Sequence, residues 1–139
     1  MSSQLNVDTI VDKAGSGGTN VKVGNTSTYV SDGGGVTQNT VQGLCKFWIQ
    51  FNGTSTVATR DSFNLASLTD NATGDYTHTF TNAFSNNDYA AIGMAAGSNH
   101  SAFYNADNTN TTTFRQLIRA SGTDTDTDPI ALQIAGDLA

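Results

Sequence analysis

The stretch Cys45-Lys-Phe-Trp-Ile-Gln-Phe51 decides the fold of this chain. Every second residue from Cys45 to Phe51 is apolar, and a period of two places successive side chains on opposite faces of a β-strand. The dipeptide Asn52-Gly53 follows directly and is typical of a turn. The stretch therefore predicts a half-buried strand with one face in a core. The same alternation places Trp48 on the opposite, outer face.

Similar stretches follow at intervals of about ten residues, with turn-forming residues between them. They predict strands at residues 56–59, 62–68, 75–81, 89–96, 101–106, 112–120 and 130–135. Residues 89–96 are apolar almost throughout, which is typical of a strand that is covered on both faces. No window carries a helical period. The sequence therefore predicts an all-β fold in which residues 43–139 form an antiparallel β-sandwich or small barrel.

Upstream of residue 43 the chain has two short parts. Leu5, Val7 and Ile10 lie among polar neighbours and precede a glycine-rich break, which predicts a short extended N-terminal arm over residues 1–18. Residues 19–42 contain only very short apolar segments and predict a short β-stalk or linker. Strands this short rarely form a stable sheet alone, so we expect several copies to wrap around one axis as a homotrimer.

The composition restricts the function as well as the fold. Gly, Asn, Ser and Thr account for 61 of 139 residues, and every acidic residue is Asp. The net charge is −6, with three Lys and three Arg, so neither nucleic acid nor an anionic membrane surface is an expected partner. No apolar run has the length of a signal core or a membrane span, so we expect cytoplasmic synthesis and no membrane insertion. Cys45, the only cysteine, cannot form an intrachain disulfide.

Two parts of the chain resemble structural proteins of tailed bacteriophages. Leu5-Asn-Val-Asp-Thr-Ile10, followed by Ala14-Gly15, resembles the opening of many phage tail-fibre and minor structural proteins. A C-terminal domain that recurs in phage fibre proteins is similar to four stretches of this chain, Lys46-Phe-Trp-Ile-Gln-Phe-Asn-Gly-Thr54, Arg60-Asp-Ser-Phe-Asn64, Leu68-Thr-Asp-Asn-Ala-Thr-Gly-Asp-Tyr-Thr77 and Asn87-Asp-Tyr-Ala90. The resemblance implies a trimeric virion protein with an exposed β-rich head.

The resemblance also implies partners for the two parts. Other virion proteins would bind the arm, at Leu5, Val7 and Ile10, and the head would project from the particle. Only residues 16–42 separate the two similar parts, whereas fibre proteins usually carry a long shaft there. A short spike, fibre or decoration protein therefore fits the length better. The alternative function is that of a tail-apparatus tip which binds a host surface glycan or protein.

Residues that carry chemistry are few. Asp124, Asp126 and Asp128 alternate as in calcium loops, but Pro129 stands where such a loop needs Gly, so we expect a solvated hairpin loop without a metal. His78 shares a strand face with aromatic residues and is expected to be packed. No nucleophile elbow or metal-ligand spacing occurs, so we expect no enzyme activity and no cofactor.

Three side chains are the candidate contacts to a partner protein or a glycan. On an outer strand face, the ring of Trp48 either stacks on a sugar or packs on a neighbouring subunit or a second layer. Packing is the preferred interpretation, because an exposed Trp lowers solubility. His100 falls in a predicted exposed turn, and Tyr104 falls in the strand that follows.

Overall fold

The computed structural model describes residues 28–30, 35, 37–40 and 43–137. The chain divides into two compact units, residues 1–41 and residues 42–139. The predicted arm, with Leu5, Val7 and Ile10, lies outside the described residues. Of the predicted stalk or linker over residues 19–42, only residues 28–30, 35 and 37–40 are described.

Two short strands of the first unit pair with each other. Strand β1 (Thr28–Val30) runs antiparallel to β2 (Thr37–Asn39). These two strands pair within one chain, and the homotrimer expected from residues 19–42 stays a prediction. A hairpin of two such strands is only marginally stable in water unless another surface packs on it.

The second unit is built from strands, so the all-β prediction is confirmed. Its strands are β3 (Cys45–Asn52), β4 (Ala58–Phe63), β5 (Leu65–Ala72), β6 (Asp75–Phe80), β7 (Ala90–Ala95), β8 (His100–Asn105), β9 (Thr113–Ala120), β10 (Thr123–Asp124) and β11 (Ile130–Ala135). A single 3₁₀ turn, Ala106–Asn108, follows β8. Thr, Val, Ile and aromatic residues suit a pleated strand, which is why the threonine-rich composition gives this architecture.

These strands form two antiparallel sheets that face each other as a sandwich. One sheet has the order β4-β3-β11-β7. The other has the order β5-β6-β9-β8, and β10 also pairs with β9. Arg119 and Ala120 of β9 pair with β8 on one edge and with β10 on the other. Strand β10 therefore lies on the same edge of β9 as β6. The prediction of a sandwich or small barrel is thereby narrowed to the sandwich.

The core between the sheets is rich in aromatic rings. Its buried apolar side chains are Phe47, Ile49, Phe51, Tyr76, Phe80, Phe84, Phe114, Ile118, Ile130, Leu132 and Ile134. Rings from opposite sheets meet edge to face, as do Phe51 and Tyr76, whose centroids are 5.0 Å apart. Burying one large apolar side chain completely contributes about 1.5–3 kcal/mol. Phe47, Ile49 and Phe51 all belong to this core, so the alternation that starts at Cys45 defines the inner face of β3.

The predicted single strand at residues 62–68 is wrong, because the chain reverses at Asn64. Asn64 has a φ of 64°, a left-handed conformation that asparagine tolerates better than most residues. Its amide nitrogen donates hydrogen bonds to the carbonyl oxygens of Lys46 (3.1 Å) and Asn82 (3.0 Å). Strand β4 consequently belongs to one sheet and β5 to the other, and Asn64 stabilises the connection between them.

The prediction that residues 89–96 are covered on both faces is also wrong for the single chain. Strand β7 lies at the edge of its sheet, with Ala91, Gly93 and Ala95 on the inner face. Ile92 and Met94 point to the outer face and are among the most exposed large apolar residues. A continuous apolar run does not reveal whether the second covering layer belongs to the same chain.

Candidate functional site

The outer face of the four-stranded sheet carries an unusual concentration of exposed apolar side chains. Strand register arranges them in two rows, Phe63–Trp48–Gln133–Ile92 and Asp61–Gln50–Ala131–Met94. We call the surface formed by Trp48, Phe63, Ile92, Met94 and Ala131 the outer apolar face. Residues opposite each other in neighbouring strands have Cβ atoms about 5 Å apart, so the side chains of each row adjoin one another.

Four large apolar side chains of the outer apolar face are exposed to solvent. The exposed fractions are 37% for Trp48, 51% for Phe63, 71% for Ile92 and 67% for Met94. Single exposed apolar residues are common on protein surfaces, whereas groups of them mark interaction sites. Trp, Phe and Met are the residue types that are enriched at the centres of protein interfaces. The arrangement therefore suits contact with another protein surface.

A shallow cavity of about 460 Å³ opens on this face beside Trp48. Polar side chains share its lining with Ile92 and Met94, namely Gln50, Asp61 and Gln133. The amides of Gln50 and Gln133 make no hydrogen bond within the part of the chain that the structure describes. Each amide offers both donors and an acceptor, so the cavity combines an apolar wall with unused hydrogen-bonding groups.

A second concave region lies at the open edge of the sandwich, between β7 and β8. A cavity of about 290 Å³ is lined by Gly93, Ala102, Tyr104 and Gln116, among others. An adjacent cavity of about 250 Å³ shares Tyr104 with it. A Cβ atom at Gly93 would lie 2.8 Å from the Cβ of Ala102 and 2.9 Å from Nε2 of Gln116. The glycine therefore lets β7 approach the opposite sheet closely.

The structure places the three predicted contact residues on two separate surfaces. Trp48 lies on the outer side of the four-stranded sheet, whereas His100 and Tyr104 both belong to β8 of the other sheet. His100 is half-buried rather than exposed in a turn, and its Nδ1 lies 3.1 Å from the carbonyl oxygen of Ser98. Tyr104 is exposed beside the edge cavity. The three residues therefore cannot act as one site within a chain.

The aspartates at residues 124, 126 and 128 are exposed, as expected of a solvated loop, and each carboxylate also has a partner within the protein. Asp124 accepts a hydrogen bond from Arg119 at 2.7 Å, and Asp128 pairs with Arg60 at 2.7 Å. Oδ1 of Asp126 accepts from the backbone N–H of Gly74 at 2.7 Å. Each carboxylate thus has a different protein partner. Within the described ranges, no group of three His, Cys, Asp or Glu residues could hold a metal ion.

Asp126 also contacts the core through Tyr76. The Tyr76 hydroxyl lies 2.9 Å from Oδ1 of Asp126 and 2.9 Å from the carbonyl oxygen of Gly53. Burial raises the pKa of Tyr76 above its usual range, and the hydrogen bond to Asp126 adds to the rise. The hydroxyl therefore stays protonated and acts as a structural donor.

His78 is packed in the core, as the sequence predicts. Its Nε2 lies 3.0 Å from Oε1 of Gln116, whose own nitrogen points to the carbonyl oxygen of Ala131 at 3.4 Å. Nε2 therefore carries the proton, and among the described residues the buried Nδ1 has no hydrogen-bond partner. Burial lowers the pKa of His78 to about 4. A neutral, fully buried imidazole of this kind contributes to packing and makes the fold sensitive to acid.

An ion pair on the outer side of the five-stranded sheet has no signal in the sequence. Arg115 donates two hydrogen bonds to the carboxylate of Asp75, one of them from Nε to Oδ1 at 2.7 Å. The hydrogen bonds from Arg115 lower the pKa of Asp75, against the effect of its burial. The two residues are 40 positions apart, so no local pattern pairs them. Only the register of β6 against β9 does so.

Comparison of the chain with protein-family models, with curated proteins and with solved structures gives no match. Among the described residues, no helix is long and apolar enough to cross a membrane.

Proposed function

We propose that this protein is a non-enzymatic structural component of a tailed-bacteriophage virion, a short trimeric spike, fibre or decoration protein exposed on the particle. The observation that carries the proposal is the outer apolar face. A protein that functions by assembly needs a surface whose burial stabilises the assembled state, and large exposed apolar residues at Trp48, Ile92 and Met94 supply one.

The stretches that resemble phage fibre heads support the same proposal through the fold. The stretch from Lys46 to Thr54 contains almost all of β3, and the stretch from Leu68 to Thr77 contains most of the β5–β6 hairpin. These segments provide core side chains from both sheets, including Phe51. The resemblance therefore concerns the framework of the head, and it favours a shared architecture over a shared catalytic site.

The test is the location of the chain on particles. Phage particles purified from a culture that expresses the chain are labelled with an antibody raised against residues 43–139 and are quantified by mass spectrometry. We expect the chain in intact particles, with many copies on the shell for a decoration protein and few copies at the tail for a spike. Its absence from particles that assemble normally would refute the virion assignment.

Attachment to the particle is proposed to occur through the arm, at Leu5, Val7 and Ile10. A chain that starts at residue 20 retains every strand of the second unit, so it should fold normally but fail to join particles. A full-length Leu5→Ser, Val7→Ser variant serves as the matched control for removal of the arm, because it alters only the apolar positions. Normal incorporation of both proteins would show that the head makes the attachment.

The edge cavity beside Tyr104 favours a second candidate function, recognition of a host surface glycan. Exposed tyrosine rings stack on sugar rings while the hydroxyl reaches a polar partner. Tyr104 is 64% exposed, and Tyr29 in the first unit is 65% exposed, which makes it a matched control. If recognition is the function, Tyr104→Ala should lose binding to host-surface polysaccharide while Tyr29→Ala keeps it. Equal binding by both variants would exclude Tyr104 as the contact.

A further inference from the structure

We propose that a second copy of this chain covers the outer apolar face, so that the heads associate directly through their four-stranded sheets. The inference rests on the proposed assembly function and names the partner and the surface. It differs from the trimer expected from residues 19–42, because it places a self-contact on the second unit. Three properties of the face favour a copy of the same chain over another occupant.

The first property is its area. Four strands about 4.8 Å apart and six residues long give a sheet face of about 400 Å² before side-chain relief is counted. A stable interface of ordinary size buries about 800 Å² on each partner. The outer apolar face therefore supplies the apolar centre of such an interface, and neighbouring polar residues supply the rim. A small ligand in the cavity beside Trp48 would leave most of the exposed apolar side chains uncovered.

The second property is the low charge of the face. The chain carries a net charge of −6, so two copies repel each other at most orientations. Of the eight positions in the two rows, only Asp61 is ionisable. Copies of one acidic protein can approach closely where charge is sparse. A basic partner would instead favour the aspartates at residues 124–128.

The third property is the self-complementary chemistry of the face. Sheets stack face to face about 10 Å apart when their side chains interdigitate, as the inner faces of this sandwich do. The cavity beside Trp48 can receive a projecting side chain such as Ile92 from the other copy. Gln50 and Gln133 need hydrogen-bond partners if they are buried, and the amides of a second copy provide both donors and acceptors.

Trp48 is the only tryptophan of the chain, so its fluorescence reports directly on this face. The full-length protein is diluted from high micromolar to submicromolar concentration, and acrylamide quenching of Trp48 is measured beside sedimentation velocity. We expect Trp48 to be shielded in the associated state and to become quenchable as the species dissociates. A monomer throughout this range, or an oligomer in which Trp48 is as quenchable as in the monomer, would overturn the inference.

Two variants make the test specific to the face. Ile92→Glu places a carboxylate on the outer apolar face, on its edge strand β7. Phe103→Glu makes the same change in charge at an exposed position of the other sheet. We expect Ile92→Glu to weaken association by about 100-fold or more and to leave Trp48 quenchable at every concentration. Phe103→Glu should behave like the wild type, and circular dichroism verifies that both variants are folded.

The outcomes separate this inference from the proposed function. Association that is unchanged in Ile92→Glu, or lost equally in both variants, would overturn the assignment of the face. Neither result bears on whether the chain occurs in virions, which particle labelling decides. Conversely, if the chain associates through the face that contains Trp48 but is absent from particles, the proposed self-contact stands and the proposed virion function is refuted.

Discussion

Acid is expected to destabilise this fold through a single buried histidine, His78. Its ring is completely buried, and burial lowers its pKa from an ordinary value of 6.5 to about 4. Above pH 6.5 neither the folded nor the unfolded chain protonates the ring, so the full stability is present. Between pH 6.5 and about 4 only the unfolded chain takes up the proton, so stability falls as the pH falls.

The size of this loss of stability follows from the difference between the pKa of His78 in the unfolded chain and its pKa in the folded chain. One pKa unit corresponds to about 1.4 kcal/mol, so the loss approaches a limit of about 3 kcal/mol below the folded-state pKa. Most of this loss, about 2–3 kcal/mol, should be present at pH 4.5, and about 1.4 kcal/mol at pH 5.5. Domains of this size have total stabilities of about 5–15 kcal/mol, so the effect is readily measured.

The assay is urea unfolding followed by circular dichroism at one protein concentration, from about pH 7.5 to about pH 4.5. His78→Gln keeps a neutral polar side chain near Gln116 and should remove the dependence on pH, whatever its effect at neutral pH. His100→Gln removes the only other histidine and is the matched control, which should keep the dependence. A pH-independent wild type, or the same slope in His78→Gln, would refute the reasoning.

Two further predictions concern the aspartate loop and a glycine turn. Asp126→Ala should lower the free energy of unfolding by about 1–3 kcal/mol, because Gly74 and the buried Tyr76 hydroxyl lose an acceptor. Thermal melting should give the same midpoint in calcium and in chelator, and a large calcium-dependent rise that Asp126→Ala abolishes would contradict a purely structural role. Gly74→Ala should cost at least about 2 kcal/mol more than Gly122→Ala. Both glycines have positive φ, but a Cβ would lie 2.5 Å from a backbone oxygen at Gly74 and meet nothing within 4 Å at Gly122. Equal urea midpoints for the two glycine variants would be incompatible with this explanation.

The candidate site could be predicted from the sequence only in part. Alternation around Trp48 places its ring on the outer face, because the direction of a side chain depends on the period of its own strand. The apolar run that contains Ile92 and Met94 predicts a strand covered on both faces, since such a run gives the same pattern for a central strand and for an edge strand that awaits a partner. Their meeting with Trp48 depends on the pairing of β11 with both β3 and β7, which no local pattern encodes.

The aspartate loop shows the same division between local and distant information. The spacing of Asp124, Asp126 and Asp128 is visible in the sequence and resembles that of a calcium loop. Pro129, which stands where such a loop needs Gly, is equally visible and argues against one. Their partners Arg60, Arg119 and Gly74 are not visible, because two of the three lie more than fifty residues away along the chain. A carboxylate finds its partner through the tertiary fold, so its role could not be read from its spacing.

By itself, the sequence determined that the chain is all-β, that the residues alternating from Cys45 to Phe51 line a core, and that His78 is packed. These properties follow from side-chain periodicity and β-propensity, which act over a few residues. Only the tertiary structure decided that Asn64 transfers the chain from one sheet to the other, that β7 lies at an edge, and that exposed apolar residues of β3, β4 and β7 lie on one face. Strand order and register determine these features through contacts between residues far apart in the sequence, and a local pattern contains no information about such contacts.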